Sequence, residues 1–286
     1  MRTVCFAVEK ILYVIIAVIG VPVNLVAIVI LTRGKCGLSF CTTRYLVAMA
    51  AEDLLLIITE VVLYQLNYHY FPVCFLNVTS VCTVLRVLSR IAVNCSVWFS
   101  VTSTFDRFVG ICCQKLKTKY CTGRTAAVVL APSSVLFCLK NGPLYFTYRE
   151  IINNVPWFCY PKPSYFTQPA WVAYDWLDIV LTPFLPFGVI LLLNALTIRH
   201  ILVPVGFILL WLTNAAEFIY YHITGIGTQG NDWEIIFAYA GYLLRNFSCC
   251  TNTFIYAATQ SRFREQVKSA VKYPFVSVLR FINRVS

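Results

Sequence analysis

Long apolar runs recur along the chain, separated by short stretches rich in basic and turn-forming residues. The pattern predicts seven helices at about 11–32, 44–64, 79–112, 125–148, 176–199, 201–223 and 233–258. Each is close to or above the roughly 20 residues an α-helix needs to cross a bilayer. The first run, Ile11 to Thr32, carries no charged residue. It is longer than a typical signal core and lacks a small-residue cleavage site, so it reads as a membrane helix. Residues 261–270 (SRFREQVKSA) mix basic and apolar positions, which suits a short amphipathic helix lying among lipid headgroups at the inner surface. The expected architecture is all-α, a single seven-transmembrane-helix bundle over residues 1–286 with that short eighth helix.

Composition agrees with that reading. At 59% hydrophobic and 12% charged residues, the chain is no ordinary soluble domain. The net charge of +11 does not point to nucleic acid, because the basic residues fall in short gaps between apolar runs. Alternate gaps, on the side that would be inner, hold 14 of the 23 Lys and Arg, including Arg33, Arg44, Lys115, Lys117, Lys119 and Arg124. The other side holds Arg2, Lys10, Lys140, Arg149 and Lys162. That asymmetry puts the N-terminus outside and the C-terminus in the cytoplasm. The 13 cysteines form no CxxC pair and no metal-ligand spacing. His69, His200 and His222 are scattered, with no serine–histidine–acid set, so an enzyme is not expected. A transporter would want broken helices and an internal repeat, and neither is evident.

Polar residues inside apolar helices mark the candidate chemistry, since each needs a partner in lipid. The first helix has Asn24. The second has Leu46, Ala50 and Asp53 in an LxxxAxxD pattern, with Glu52 beside it and Glu60 two turns further out. The third has Arg86 and Arg90 on one face, four residues apart. Like charges at that spacing repel, so an anion is expected nearby: Glu60, Glu217, an outer-loop acid or a ligand. Asn77-Val-Thr79 fits a glycosylation sequon, though it lies close to the membrane. At the other end of the third helix, Asp106-Arg107-Phe108 stands 25 residues after Cys82, a helical span of about 37 Å.

A cysteine and an Asp-Arg-Phe triplet at that offset resemble the third helix of rhodopsin-like (class A) G-protein-coupled receptors. Asn24, Asp53, Pro186, Trp211 and Asn252-Thr-Phe-Ile-Tyr256 follow the family's order. NTFIY, and Asn194 after Pro186, are most similar to the peptide-type orphan receptors that respond to tryptophan and phenylalanine. The resemblance implies a plasma-membrane receptor that binds an extracellular ligand and activates a heterotrimeric G protein. It makes Arg107 a switch held by Asp106 at rest, with Phe108 completing the triplet. Trp211 would be a rotamer switch, and Tyr256 would swing toward the third helix. Asp53, Ser96, Ser248 and Asn252 would form an allosteric sodium site, whose one carboxylate and neutral oxygens suit a hard cation; no other cofactor is implied. A Cys82–Cys159 disulfide is implied too. Ligand-facing candidates are Arg86, Ser89, Arg90, Asn214, Glu217, Tyr221 and Arg245, and their arginines suggest a ligand with an anionic group.

Departures from the family pattern narrow the reading. Ser89 stands where amine receptors keep an aspartate, and Asn246 where opsins keep a lysine. The fourth helix lacks the family's tryptophan, and Trp211-Leu-Thr213 lacks the sixth-helix proline. Only Arg199-His200 separate the fifth and sixth predicted helices. Either a segment is missing there, or this is a non-signalling receptor that only binds ligand or partners.

Overall fold

The computed structural model describes residues 2–33, 38–71, 74–113, 122–150, 157–197, 232–259 and 263–269, with 213, 216, 219 and 220. The first helix spans Arg2–Thr32, nine residues earlier than its apolar run begins. The second starts at Phe40, where the Ser39 hydroxyl caps the Thr42 amide. It runs α-helical to Leu56 and continues through a π-helical stretch, Ile57–Leu66. The third helix is Thr79–Cys112, 34 residues and about 50 Å long. The fourth, Gly123–Asn141, is capped by Thr122 and gives way at Pro143 to a tighter 3-10 segment, Gly142–Thr147. The fifth starts earlier than expected, at Pro169, where a first-turn proline costs no hydrogen bond. It passes through a π-helical stretch, Val180–Phe184, and ends with Leu185–Thr197. The seventh predicted run is the helix Asp232–Thr259. The sixth run and the short fifth-to-sixth junction lie outside the described residues, apart from the four isolated positions, which are helical.

Four of these helices are long and apolar enough to cross a membrane. Their outward side chains are apolar, Val18, Leu139 and Leu192 among them, as a lipid-facing surface requires. The third helix is the most enclosed of the four and the fourth helix the least, at 56% and 17% of their spans buried. The polar residues therefore gather along the third helix.

Among the described residues two large apolar clusters fill the interior, with a smaller one at Cys41, Tyr45 and Ala126. Nearer the Asp106 end, Ala27, Leu31, Leu46, Met49, Cys95 and Phe99 pack with Phe263, which is fully buried and belongs to the helical residues 263–269. Nearer the Cys82 end, Tyr13, Ile57, Val61, Val93 and Val97 pack with Cys249 and Cys250. Asn24 ties the first helix to the seventh, its amide donating to Gly20 O at 2.9 Å and Cys249 O at 3.1 Å. Gly20 faces side chains of the second and seventh helices with no room for a Cβ. A Cβ there would lie 2.6 Å from Ile57 Cδ1 and 2.8 Å from Cys250 Sγ. Gly20→Val should therefore cost about 1–3 kcal/mol through overpacking. Thermal unfolding of the detergent-solubilised chain measures it, and an unchanged midpoint would contradict the contact.

The Cys82 end is closed by a hairpin. Strand β1 (Tyr148–Arg149) pairs antiparallel with β2 (Tyr160–Pro161), and Cys159 beside β2 is disulfide-bonded to Cys82, with Cα atoms 5.8 Å apart. Asn77 is locked beneath this hairpin. Its carbonyl accepts from Phe158 N at 2.5 Å, its side-chain oxygen accepts from Asn67 at 2.8 Å, and its amide donates to Phe71 O at 3.1 Å. With Asn77 only 3% exposed, the sequon is a structural position. Peptide N-glycosidase should leave the electrophoretic mobility of the expressed chain unchanged at this site, and a shift removed by Asn77→Gln would refute that.

Candidate functional site

The second helix widens into its π-helical stretch where the third helix presents its arginines, and Glu60 lies in that stretch. Such turns re-aim side chains and concentrate at functional positions. Glu60 is 1% exposed. Arg86 Nη1 donates to its Oε1 at 2.8 Å, and Ser89 Oγ donates to its Oε2 at 2.8 Å. From the seventh helix, Arg245 Nη2 stands 3.8 Å from the same Oε1. The Arg86 guanidinium lies 4.7 Å from the centre of the Tyr64 ring, and that of Arg245 lies 5.2 Å from the Tyr242 ring. Two cations thus share one carboxylate. Arg245 Nε and both amide atoms of the adjacent Asn246 are buried without hydrogen-bond partners.

A second ion cluster joins the third, fourth and fifth helices one turn along. Asp178 accepts from Arg90 Nη1 at 2.8 Å on one oxygen, and its other oxygen pairs with Lys140. The Thr182 hydroxyl lies 3.1 Å from Asp178 Oδ1 and 3.1 Å from Asn94 Oδ1. Lys140 Nζ also donates to Asn94 Oδ1 at 2.9 Å. Thr182 belongs to the fifth helix's π-helical stretch, so both clusters sit at wide turns. Beside them Tyr165 donates to Asp175, which lies within electrostatic reach of Arg90. Burial pushes the Tyr165 hydroxyl above its ordinary value, so it stays a protonated donor. Here two cations face two carboxylates.

Of the anions expected beside the third-helix arginines, Glu60 is found with Arg86, while Arg90 takes Asp178, which was not among them. Arg86 and Arg90 do not share one anion; each turns to its own carboxylate, Glu60 and Asp178. Lys140, expected on the outer surface, is an interior ion-pair partner in the last turn of the fourth helix. Asp178, Asp175 and Thr182 were not among the sequence candidates. Two acids three apart in an otherwise apolar run, at 175 and 178, were the available signal.

Further toward the Asp106 end, Ser96 Oγ donates to Asp53 Oδ1 at 2.5 Å, bringing together two of the sodium-site candidates. Ser248 donates to Arg245 O at 2.6 Å within its own helix. The buried carboxylate and hydroxyl are hard oxygen donors of the kind sodium takes. Asp106 Oδ2 accepts from Thr42 Oγ1 on the second helix at 2.5 Å, so the triplet's acid is anchored across a helix contact. Arg107 and Phe108 are half-buried beside it. The side chains of Asn252 and Tyr256 lie outside the described residues, as do Trp211, Asn214, Glu217 and Tyr221.

The family model "7 transmembrane receptor (rhodopsin family)" matches residues 23–207. That is well over half of the 286 residues. The matched stretch contains the disulfide, the Asp106-Arg107-Phe108 triplet and, Arg245 excepted, every ionic side chain of the two clusters.

Proposed function

The chain belongs to the rhodopsin family of seven-transmembrane receptors, and from that premise we propose that it resides in the plasma membrane with its N-terminus outside and responds to an extracellular ligand carrying an anionic group. The family's members are receptors, not enzymes, and signal through heterotrimeric G proteins. The observation that carries the ligand reading is the set of four cations, Arg86, Arg90, Lys140 and Arg245, in the interior near the disulfide end. Arg86 and Arg90 keep 24% and 30% of their side-chain surface exposed, so an entering solute can meet them. The aromatic-amino-acid-responsive subgroup is the nearest relation we propose, on NTFIY and Asn194.

Signalling follows from a population shift between two bundle arrangements, not from covalent chemistry. In the resting arrangement Asp106 is held by Thr42 and restrains Arg107, while Trp211, Asn252 and Tyr256 rearrange on activation. Sodium at Asp53, Ser96, Ser248 and Asn252 would favour the resting arrangement. Asp106→Asn weakens the restraint, so basal GTPγS exchange should rise severalfold in membranes reconstituted with a panel of Gα subunits. Arg107→Ala should bring exchange to the level of membranes without the chain. If no Gα exchanges faster with the wild-type chain or with Asp106→Asn, the second reading stands: a receptor that binds without signalling. The two-residue junction Arg199-His200 favours that alternative.

A further inference from the structure

The two ion clusters differ in charge balance. Around Asp178, the cations Arg90 and Lys140 face two acids, Asp178 and the neighbouring Asp175. Around Glu60, among the described residues, Arg86 and Arg245 share a single carboxylate. Glu9, another acid on that side, hydrogen-bonds Tyr13. Among the described residues one positive charge is in surplus at Glu60, and the geometry shows which guanidinium carries it. Arg86 makes a direct 2.8 Å bond to Glu60, whereas Arg245 Nη2 stands off at 3.8 Å, beyond hydrogen-bonding range. Among the described residues, Arg245 Nε has no hydrogen-bond partner. The Nε–Nη2 edge is the fork with which arginine grips a planar oxyanion through two parallel bonds. Next to it on the helix, Asn246 is 1% exposed with both amide atoms unsatisfied. Buried polar groups in native proteins are nearly always bonded, and leaving three such atoms unmet needs a reason.

We propose that Arg245 and Asn246 form the subsite for a carboxylate of the ligand, with the Nε–Nη2 edge taking both oxygens and the Asn246 amide donating to one of them. This rests on the reading of the chain as a receptor for an extracellular ligand. A carboxylate fits better than a phosphate monoester because it is planar, like the guanidinium fork, and its single charge equals the surplus. The Tyr242 and Tyr64 rings that flank the arginines suit an aromatic or other apolar group attached to it. Arg90, already paired to Asp178, is not the anchor.

The test uses the purified full chain in detergent, with 4-phenylbutyrate as the probe and the neutral 4-phenylbutyramide as its control, read by tryptophan fluorescence on heating. The acid at millimolar concentration should raise the melting midpoint of the wild-type chain, and the amide should not. Arg245→Gln leaves Glu60 paired with Arg86, so the variant should fold, and its response to the acid should weaken at least about tenfold. Arg245→Lys keeps the charge and loses the fork, so it too should weaken the response. An equal response to acid and amide, none to the acid, or a full response in Arg245→Gln or Arg245→Lys would each overturn the subsite. The melting readout needs no G protein. An acid-dependent shift without nucleotide exchange upholds the subsite and overturns the signalling reading, while exchange without a shift does the reverse.

Discussion

Glu60→Gln should be among the most damaging single substitutions in the chain, costing about 3–5 kcal/mol of stability. The wild-type carboxylate is buried and accepts from Arg86 and Ser89 at 2.8 Å each, with Arg245 beside it. Glutamine keeps the size and removes the charge, leaving two guanidiniums inside the bundle with no counter-ion among the described residues. Taking one partner from a buried pair costs more than the pair contributes, because the stranded charge has lost its hydration as well. Folded yield at the cell surface and the midpoint of thermal unfolding should both fall. A second substitution gives the sharper check. Adding Arg86→Gln to Glu60→Gln removes one stranded cation and should recover part of the loss, a strong non-additivity expected of groups in contact. Additive losses would mean that the two side chains do not act as a pair.

Among the described residues the helices of the bundle were readable from the sequence, because lipid demands long apolar helices; the sixth predicted run lies largely outside those residues. The third helix shows this well: its apolar run ends at the residues where the structure places Thr79 and Cys112. The first helix shows the limit. Its apolar run begins at Ile11, yet the helix continues outward to Arg2, where hydropathy says nothing about backbone conformation. The Asp106 end was legible through its offset from Cys82, and the Cys82–Cys159 disulfide through the family resemblance that this offset carries. Ion partners were legible only in part: Glu60 was among the anions expected, and Asp178 was not. A sequence shows that Arg86 and Arg90 share a helical face, but their separate carboxylates come from different helices, Glu60 from the second and Asp178 from the fifth. The π-helical stretches have no sequence signature of their own: Glu60 lies within the first, and Asp178 in the α-helical turn just before the second. Lys140 was misread for a related reason. Basic residues near a helix end ordinarily reach water, and here Asp178 and Asn94 make an interior position favourable.

Asp178→Asn tests that last point, and it too should cost about 3–5 kcal/mol. The carboxylate receives Arg90 on one oxygen and Lys140 on the other, with Thr182 beside it, so three helices are joined through one acid. Asparagine would leave both cations facing Asp175, which Tyr165 already engages. Lys140→Gln should be milder, about 1–3 kcal/mol, because Arg90 still satisfies Asp178 and the main loss is the donor to Asn94. Combining the two should cost less than their sum, since removing Lys140 also removes one of the charges that Asp178→Asn strands. Thermal unfolding of the three variants in detergent gives all of these comparisons. If Lys140 were a solvated surface residue instead, its substitution would fall within about 0.5 kcal/mol of wild type and the double variant would be additive. Arg90→Glu belongs to the same scheme: it places a third acid against Asp178 and Asp175, so it should unfold the chain before it reports on any ligand.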